Sequence, residues 1–164
     1  MSAQWPRERL PLAAGPRILF TTLFVAAVIA GFSARVPALR ISSHRPPVAH
    51  VVGWLLVALA VFIWVTMITM VRVAWDRGTL ITAGAFAVVR HPIYSGFIFL
   101  ACSGIALLSW DWPMMALPFV AYAAYRLFIR SEETQLAAEF GAAYEAYRRE
   151  VPALVPRLRR KNGA

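Results

Sequence analysis

Charge is what this chain has least of. Asp, Glu, Lys and Arg together make up 15% of its 164 residues, while 60% are hydrophobic and the mean hydropathy is +0.60. Soluble globular domains carry about 25% charged and about 45–50% apolar residues, so the composition excludes that class and points to an integral membrane protein. Cysteine is nearly absent: Cys102 is the one thiol, set inside an apolar run, which rules out a disulfide framework and predicts a buried side chain. Acidic residues are scarce too, 8 against 17 Lys and Arg. In a soluble protein that balance would suggest nucleic acid, but between long apolar runs it reflects basic loops on one side of a bilayer, and no nucleic-acid partner is expected. Of three histidines, His44 and His50 stand six residues apart, which does not place them on one helical face, so no metal pair is predicted. No internal repeat or low-complexity segment is present.

What the chain does have is four apolar runs. Residues 1–17, with Arg7, Arg9 and Arg17 among three prolines, read as a cytoplasmic arm. Residues 18–34 are uncharged and reach the lower length limit of a spanning helix. A cleaved signal peptide ending near Ser33 and Ala34 is the competing reading. Residues 46–71 carry no formal charge and form the clearest membrane helix, closed by Arg72, Asp76 and Arg77. A connector, 78–86, contains Gly78 and Gly84, and the third run starts at Pro92, a residue suited to the first turn of a helix. The fourth run starts at Pro113. Only about 21 Å of helix separates Asp111 from Arg126, which puts Arg126 at membrane depth. Tyr122, Arg126, Arg130 and Glu133 then share one helical face, either a functional face or arginines snorkelling to lipid headgroups.

Leu136, Phe140, Tyr144, Tyr147 and Val151 follow at steps of three and four, an amphipathic pattern ended by Pro152 and Pro156. The tail, 157–164, holds Arg157, Arg159, Arg160 and Lys161 and suits anionic lipid. The prediction is an all-α integral membrane protein, one membrane domain over 1–164, with about four transmembrane helices and a C-terminal amphipathic cytoplasmic helix. Most basic residues then fall on one side, placing both termini and the site in the cytoplasm, with the bacterial inner membrane as the expected location; Arg35, Arg40 and Arg45 fall on the other side.

One stretch stands apart, Arg90-His91-Pro92-Ile93-Tyr94-Ser95-Gly96, with a cation, an imidazole and a phenol where an apolar helix begins. With Glu132, Glu133 and the aromatic stripe at the same membrane face, it could receive a polar ligand from the cytosol and an apolar one from the bilayer. Each piece also has a structural account: Ser131-Glu132-Glu133 could cap a helix and favour its dipole, and Tyr94 could be an interfacial belt residue.

In order and spacing, Gly84-Ala85-Phe86, then Arg90 to Gly96, then Glu132-Glu133-Thr134-Gln135-Leu136, Phe140-Gly141, Tyr144, Tyr147 and Val151-Pro152 resemble the isoprenylcysteine carboxyl methyltransferase and phospholipid methyltransferase superfamily of membrane enzymes. The resemblance covers 78–156. It implies an S-adenosylmethionine pocket facing the cytoplasm, with Leu80, Ile81, Phe86, His91, Pro92, Ile93, Tyr94 and Glu132 as cofactor contacts. Glu133, Arg130 and Arg126 are the candidates for the catalytic side, and Arg90 is structural or electrostatic. It further implies methyl transfer to a lipophilic or amphiphilic acceptor: an isoprenylcysteine-like carboxylate, a phospholipid amine or another small membrane-partitioning nucleophile. Partners are then that substrate and membrane lipids; no feature of the sequence sets the oligomeric state. Three positions depart from the family pattern: Phe128 stands where carboxyl methyltransferases have an arginine, Gly78 replaces a histidine and Phe86 a tyrosine. Two other readings are an NADPH-dependent membrane reductase, since sterol reductases share a related Arg-His-Pro turn, and a non-catalytic membrane interaction module.

Overall fold

A computed structural model describes residues 14–157; most of the arm, 1–13, and the tail from 158 on, with Arg159, Arg160 and Lys161, lie outside the described residues. Among the described residues the chain is all-helical: α1 (Ala14–Ser33), α2 (Pro47–Asp76), α3 (Pro92–Ser109) and α4 (Leu117–Glu150), linked through short 3₁₀ turns at Pro37–Leu39, Gly84–Ala87 and Pro113–Ala116. The first three helices are long and apolar enough to cross a membrane. Their exposed residues fit lipid rather than water: Phe20, Phe24, Leu55 and Phe62 all face outward.

α1 packs on the first half of α4, and α2 on α3. Small residues permit the close approach. Ala14 and Ile18 of α1 share a core with Leu117, Ala121 and Ala124 of α4, and Thr22 satisfies its buried hydroxyl on the Ile18 carbonyl at 2.8 Å. On the other pair, a Cβ placed on Gly104 would stand 2.7 Å from the Gly53 carbonyl oxygen and 2.8 Å from Val57, so only glycine fits. Gly104→Ala is therefore expected to destabilise the fold by about 1–3 kcal/mol through overpacking, read as a lower melting temperature in detergent.

One expectation needs correction. Residues 14–17 are not arm but the first turn of α1: Ala14 is fully buried in the core, and Pro16 is tolerated there because its missing N–H would have no intrahelical partner. The amphipathic stripe follows α4's membrane-facing part directly, across a break at Gly141, whose φ of 52° and ψ of −128° suit glycine alone. Tyr144 and Tyr147 are thereby turned inward and buried.

At the end opposite the site, the loops after α1 and α3 are tied together. The Ile41 N–H donates to the Trp110 carbonyl at 3.1 Å and the Trp112 N–H to the Leu39 carbonyl at 3.0 Å. At this end too, His50 accepts from Trp54 Nε1 at 3.2 Å. α3 closes on Trp110 in the left-handed region, φ 59°.

Candidate active site

The site is built where α2 ends, α3 begins and α4 bends. α2 stops at Gly78, φ 64°, where the Thr79 N–H turns back to the Ala74 carbonyl at 3.0 Å, a helix end that needs a left-handed residue. The connector carries Leu80, Ile81 and Phe86 across to Arg90. There the backbone pairs with the segment after α4: the Arg90 N–H donates to the Pro152 carbonyl at 2.8 Å, the His91 N–H to the Ala153 carbonyl at 3.0 Å, and the Ser95 hydroxyl to the Leu154 carbonyl at 2.8 Å. The Arg90 guanidinium completes the lacing, donating to the carbonyls of Arg148 at 2.9 Å and Val151 at 2.8 Å and to Glu133 Oε1 at 2.8 Å. α3 starts at Pro92 and includes a widened turn, Gly96–Ala101, of the kind often found beside functional sites.

Leu80, Ile81, Phe86, His91, Pro92, Ile93, Tyr94 and Glu132 all line one pocket. Its empty volume is about 710 Å³, solvent at the mouth included. Glu132 is buried, and its Oε2 accepts from the Tyr94 hydroxyl at 2.6 Å, a bond that fixes both side chains. The two residues therefore form one wall rather than facing walls. Burial pushes the Glu132 carboxyl up to about 7, against the Tyr94 bond that favours the anion, and the neighbouring Glu133 charge adds to the rise. His91 is held below its usual value, mainly by burial, and so is neutral near pH 7. As a neutral ring it donates Nε2–H toward Glu133 Oε1 at 3.4 Å.

Glu133 behaves oppositely. The His91 bond and the Arg90 bond and charge outweigh its partial burial and hold its carboxyl down at about 2. Adjacent carboxylates thus differ: one is an anion fixed in a cationic clamp, the other is poised to change charge near neutrality. Glu133, Arg126 and Arg130 line a second cavity on the other side of this wall, together with Tyr122, as their shared helical face predicts. None of the three lines the first pocket.

The sequence did not single out the end of α2, yet Val71, Ala74 and Trp75 form a side of the pocket next to Thr79 of the connector. Trp75 stands edge-on to Phe140, with ring centroids 6.5 Å apart. Its position next to Asp76 and Arg77 was the available signal, an aromatic at a helix end that need not face lipid. The stripe residues Leu136, Phe140, Tyr144 and Tyr147 line the pocket as well. Tyr147 donates to the Phe86 carbonyl at 2.7 Å, whereas the Tyr144 hydroxyl is buried with no partner among the described residues.

Comparison with known proteins falls on the same stretch. The family model described as "Isoprenylcysteine carboxyl methyltransferase (ICMT) family" matches residues 48–138. Methanethiol S-methyltransferase 2 of Bradyrhizobium diazoefficiens is 41% identical over 50% of this chain and 33% of its own length. Protein-S-isoprenylcysteine O-methyltransferase of Schizosaccharomyces pombe is 36% identical over 47% of this chain and 33% of its own, and methanethiol S-methyltransferase of Crocosphaera subtropica is 33% identical over 49% and 31%. The matched stretch thus spans about a third of each relative's length. No solved structure matches significantly. A family model covering more than half of the residues, and relatives aligned over about half of them, agree with the Arg90 to Glu133 constellation: this chain belongs to the isoprenylcysteine carboxyl methyltransferase family.

Proposed function

We propose that this protein transfers a methyl group from S-adenosylmethionine to a lipophilic or amphiphilic acceptor at the cytoplasmic face of the membrane. The observation that carries the reading is that all eight residues assigned to cofactor contact by family resemblance line one pocket, with Glu132 buried in its wall. The pocket suits the group. Glu132 and the faces of Tyr94, Phe140 and Tyr144 suit a sulfonium cation, and the unpartnered Tyr144 hydroxyl is free to bond a polar group of the ligand.

S-adenosylmethionine, when bound, supplies an electrophilic methyl. The residues of the chain do the rest by holding and orienting, since displacement at carbon needs chiefly alignment and exclusion of water. Tyr94 orients Glu132, His91 spends its one N–H on Glu133 and leaves Nδ1 as an acceptor, and Glu133 acts as a positioning residue through Arg90 and His91. The relatives' names carry a thiol and a carboxylate acceptor. A small membrane-partitioning molecule can present either; a carboxylate is already ionised near neutral pH, whereas a thiol must give up its proton to water or a base to act as the thiolate nucleophile. The same names speak for transfer rather than reduction.

The reading places the protein in the bacterial inner membrane with four spans. α1 begins beside Tyr94 and ends at the far loops, so passage of α4 through the bilayer returns the chain to the site side; the exposed Phe119 and Leu127 support a lipid-facing α4. Labelling of cysteines placed at Arg40 and Arg157 should then report opposite sides, and same-side labelling defeats the four-span arrangement.

Calorimetry on the purified protein tests the function: S-adenosylmethionine should bind and NADPH should not, with binding lost in His91→Ala and Glu132→Ala. Labelled methyl should enter methanethiol or an apolar fraction of a membrane extract. Binding of NADPH alone would reverse the assignment. Tyr144→Phe is expected to weaken S-adenosylmethionine about five- to tenfold while melting at the same or a higher temperature, because it removes a buried hydroxyl that lacks a protein partner.

A further inference from the structure

The second cavity is an open one, dominated by Arg90, Arg126, Arg130 and Arg148 against one carboxylate, Glu133. That carboxylate is already taken, by Arg90 at 2.8 Å, with Arg148 at 3.8 Å and His91 at 3.4 Å. Arg126 donates to the Tyr122 hydroxyl, 3.3 Å away, Arg130 donates from its side chain to no group, and neither arginine forms an ion pair among the described residues. Two guanidiniums therefore line the cavity without a counter-charge there.

Their surroundings say what kind of anion would suit them. Val155, which lines the cavity, is 61% exposed, and Leu127, outside the lining but one turn before Arg130 on α4, is 72% exposed. Apolar side chains this open fit acyl chains, and an arginine at the edge of that zone is favourable where an anionic oxygen meets it. Guanidinium also matches phosphate geometry by paired donors, and the Tyr122 hydroxyl adds a donor. A soluble anion would use the charges but not the apolar rim.

We propose that this cavity binds the phosphate of an anionic amphiphile, with Arg126 and Arg130 on the headgroup and the acyl chain along Leu127 and Val155. The site is separate from the methyl-transfer pocket and the proposal does not rest on that activity.

Native mass spectrometry of the full chain released from detergent, after incubation with phosphatidylglycerol or phosphatidylcholine, tests it. Phosphatidylglycerol should be retained at least about tenfold more strongly, and the preference should vanish in Arg126→Gln/Arg130→Gln at an unchanged melting temperature. Excess inorganic phosphate should not displace the lipid. Equal retention of the two lipids, or a preference that survives in the double variant, overturns the proposal; displacement by inorganic phosphate overturns the amphiphile and leaves a soluble-anion site. Independently snorkelling arginines would give no retained lipid. Should the double variant fail to fold, the wild-type comparison of both lipids and phosphate still decides.

Discussion

Arg90→Ala is expected to lower the stability of the folded chain by about 3–5 kcal/mol, the range found when one partner of a buried ion pair is removed. The size follows from what the guanidinium holds. Its side chain is 11% exposed, and it donates to Glu133 and to the carbonyls of Arg148 and Val151. Removing it leaves a largely buried carboxylate without its closest cation and two carbonyls without a donor. Arg90→Lys should recover only part of the loss, since an ammonium cannot reproduce a planar fork that reaches three acceptors. Thermal unfolding in detergent measures both variants. A drop below about 1 kcal/mol for the alanine variant would mean the clamp is not structural.

Glu132→Gln should have the opposite sign on stability and a large effect on binding. The Glu132 carboxyl is pushed up to about 7 in the folded chain from an ordinary 4.5. A raised folded value means the native state holds the proton longer than the unfolded chain, so the contribution is fully present below about pH 4.5 and lost as pH rises to about 7. The loss amounts to about 3 kcal/mol. Glutamine keeps an acceptor for Tyr94 and carries no charge, so above pH 7 the variant should be the more stable protein by up to that amount. His91, held neutral by burial, works the other way over part of the same window, and Glu133 titrates lower, toward about 2. The difference curve between wild type and Glu132→Gln isolates the Glu132 contribution. Affinity for S-adenosylmethionine should fall about tenfold to a hundredfold in the variant. In wild type it should strengthen as pH rises through 7, with proton release on binding, because a cation favours the ionised carboxyl. Flat affinity between pH 6 and 8 would remove Glu132 from contact with the cation.

How much of this was readable beforehand differs from element to element. The first three apolar helices were legible because uncharged runs of spanning length have few alternatives, and the start of α3 was legible because proline fixes a first helical turn. The family pattern gathered the pocket residues from Leu80 to Glu132 before any geometry was available. The division of labour between Glu132 and Glu133 was not legible: neighbours on a helix point about 100° apart, and which one meets Tyr94 and which meets Arg90 is decided by packing between distant segments. Gly141 was equally silent, because a lone glycine inside a helical repeat is compatible with a continuous helix until its left-handed dihedral is seen. Trp75 was signalled by its place at a helix end, but its partner was not: it meets Phe140 of α4, a pairing of distant segments that no local pattern encodes.

The lacing of Arg90, His91 and Ser95 to residues 151–154 also sets a clock. Synthesis delivers the amino end first, so α1, α2 and α3 are available to insert and pair while the strip that fastens the Arg90 turn is still unmade. The turn stays loose until residues 151–154 have left the ribosome, and a nascent chain stopped before about residue 154 would have its membrane helices in place and no competent ligand pocket. Assembly in the bilayer and acquisition of the site are thereby separated in time, with the second event waiting on the last of the described residues.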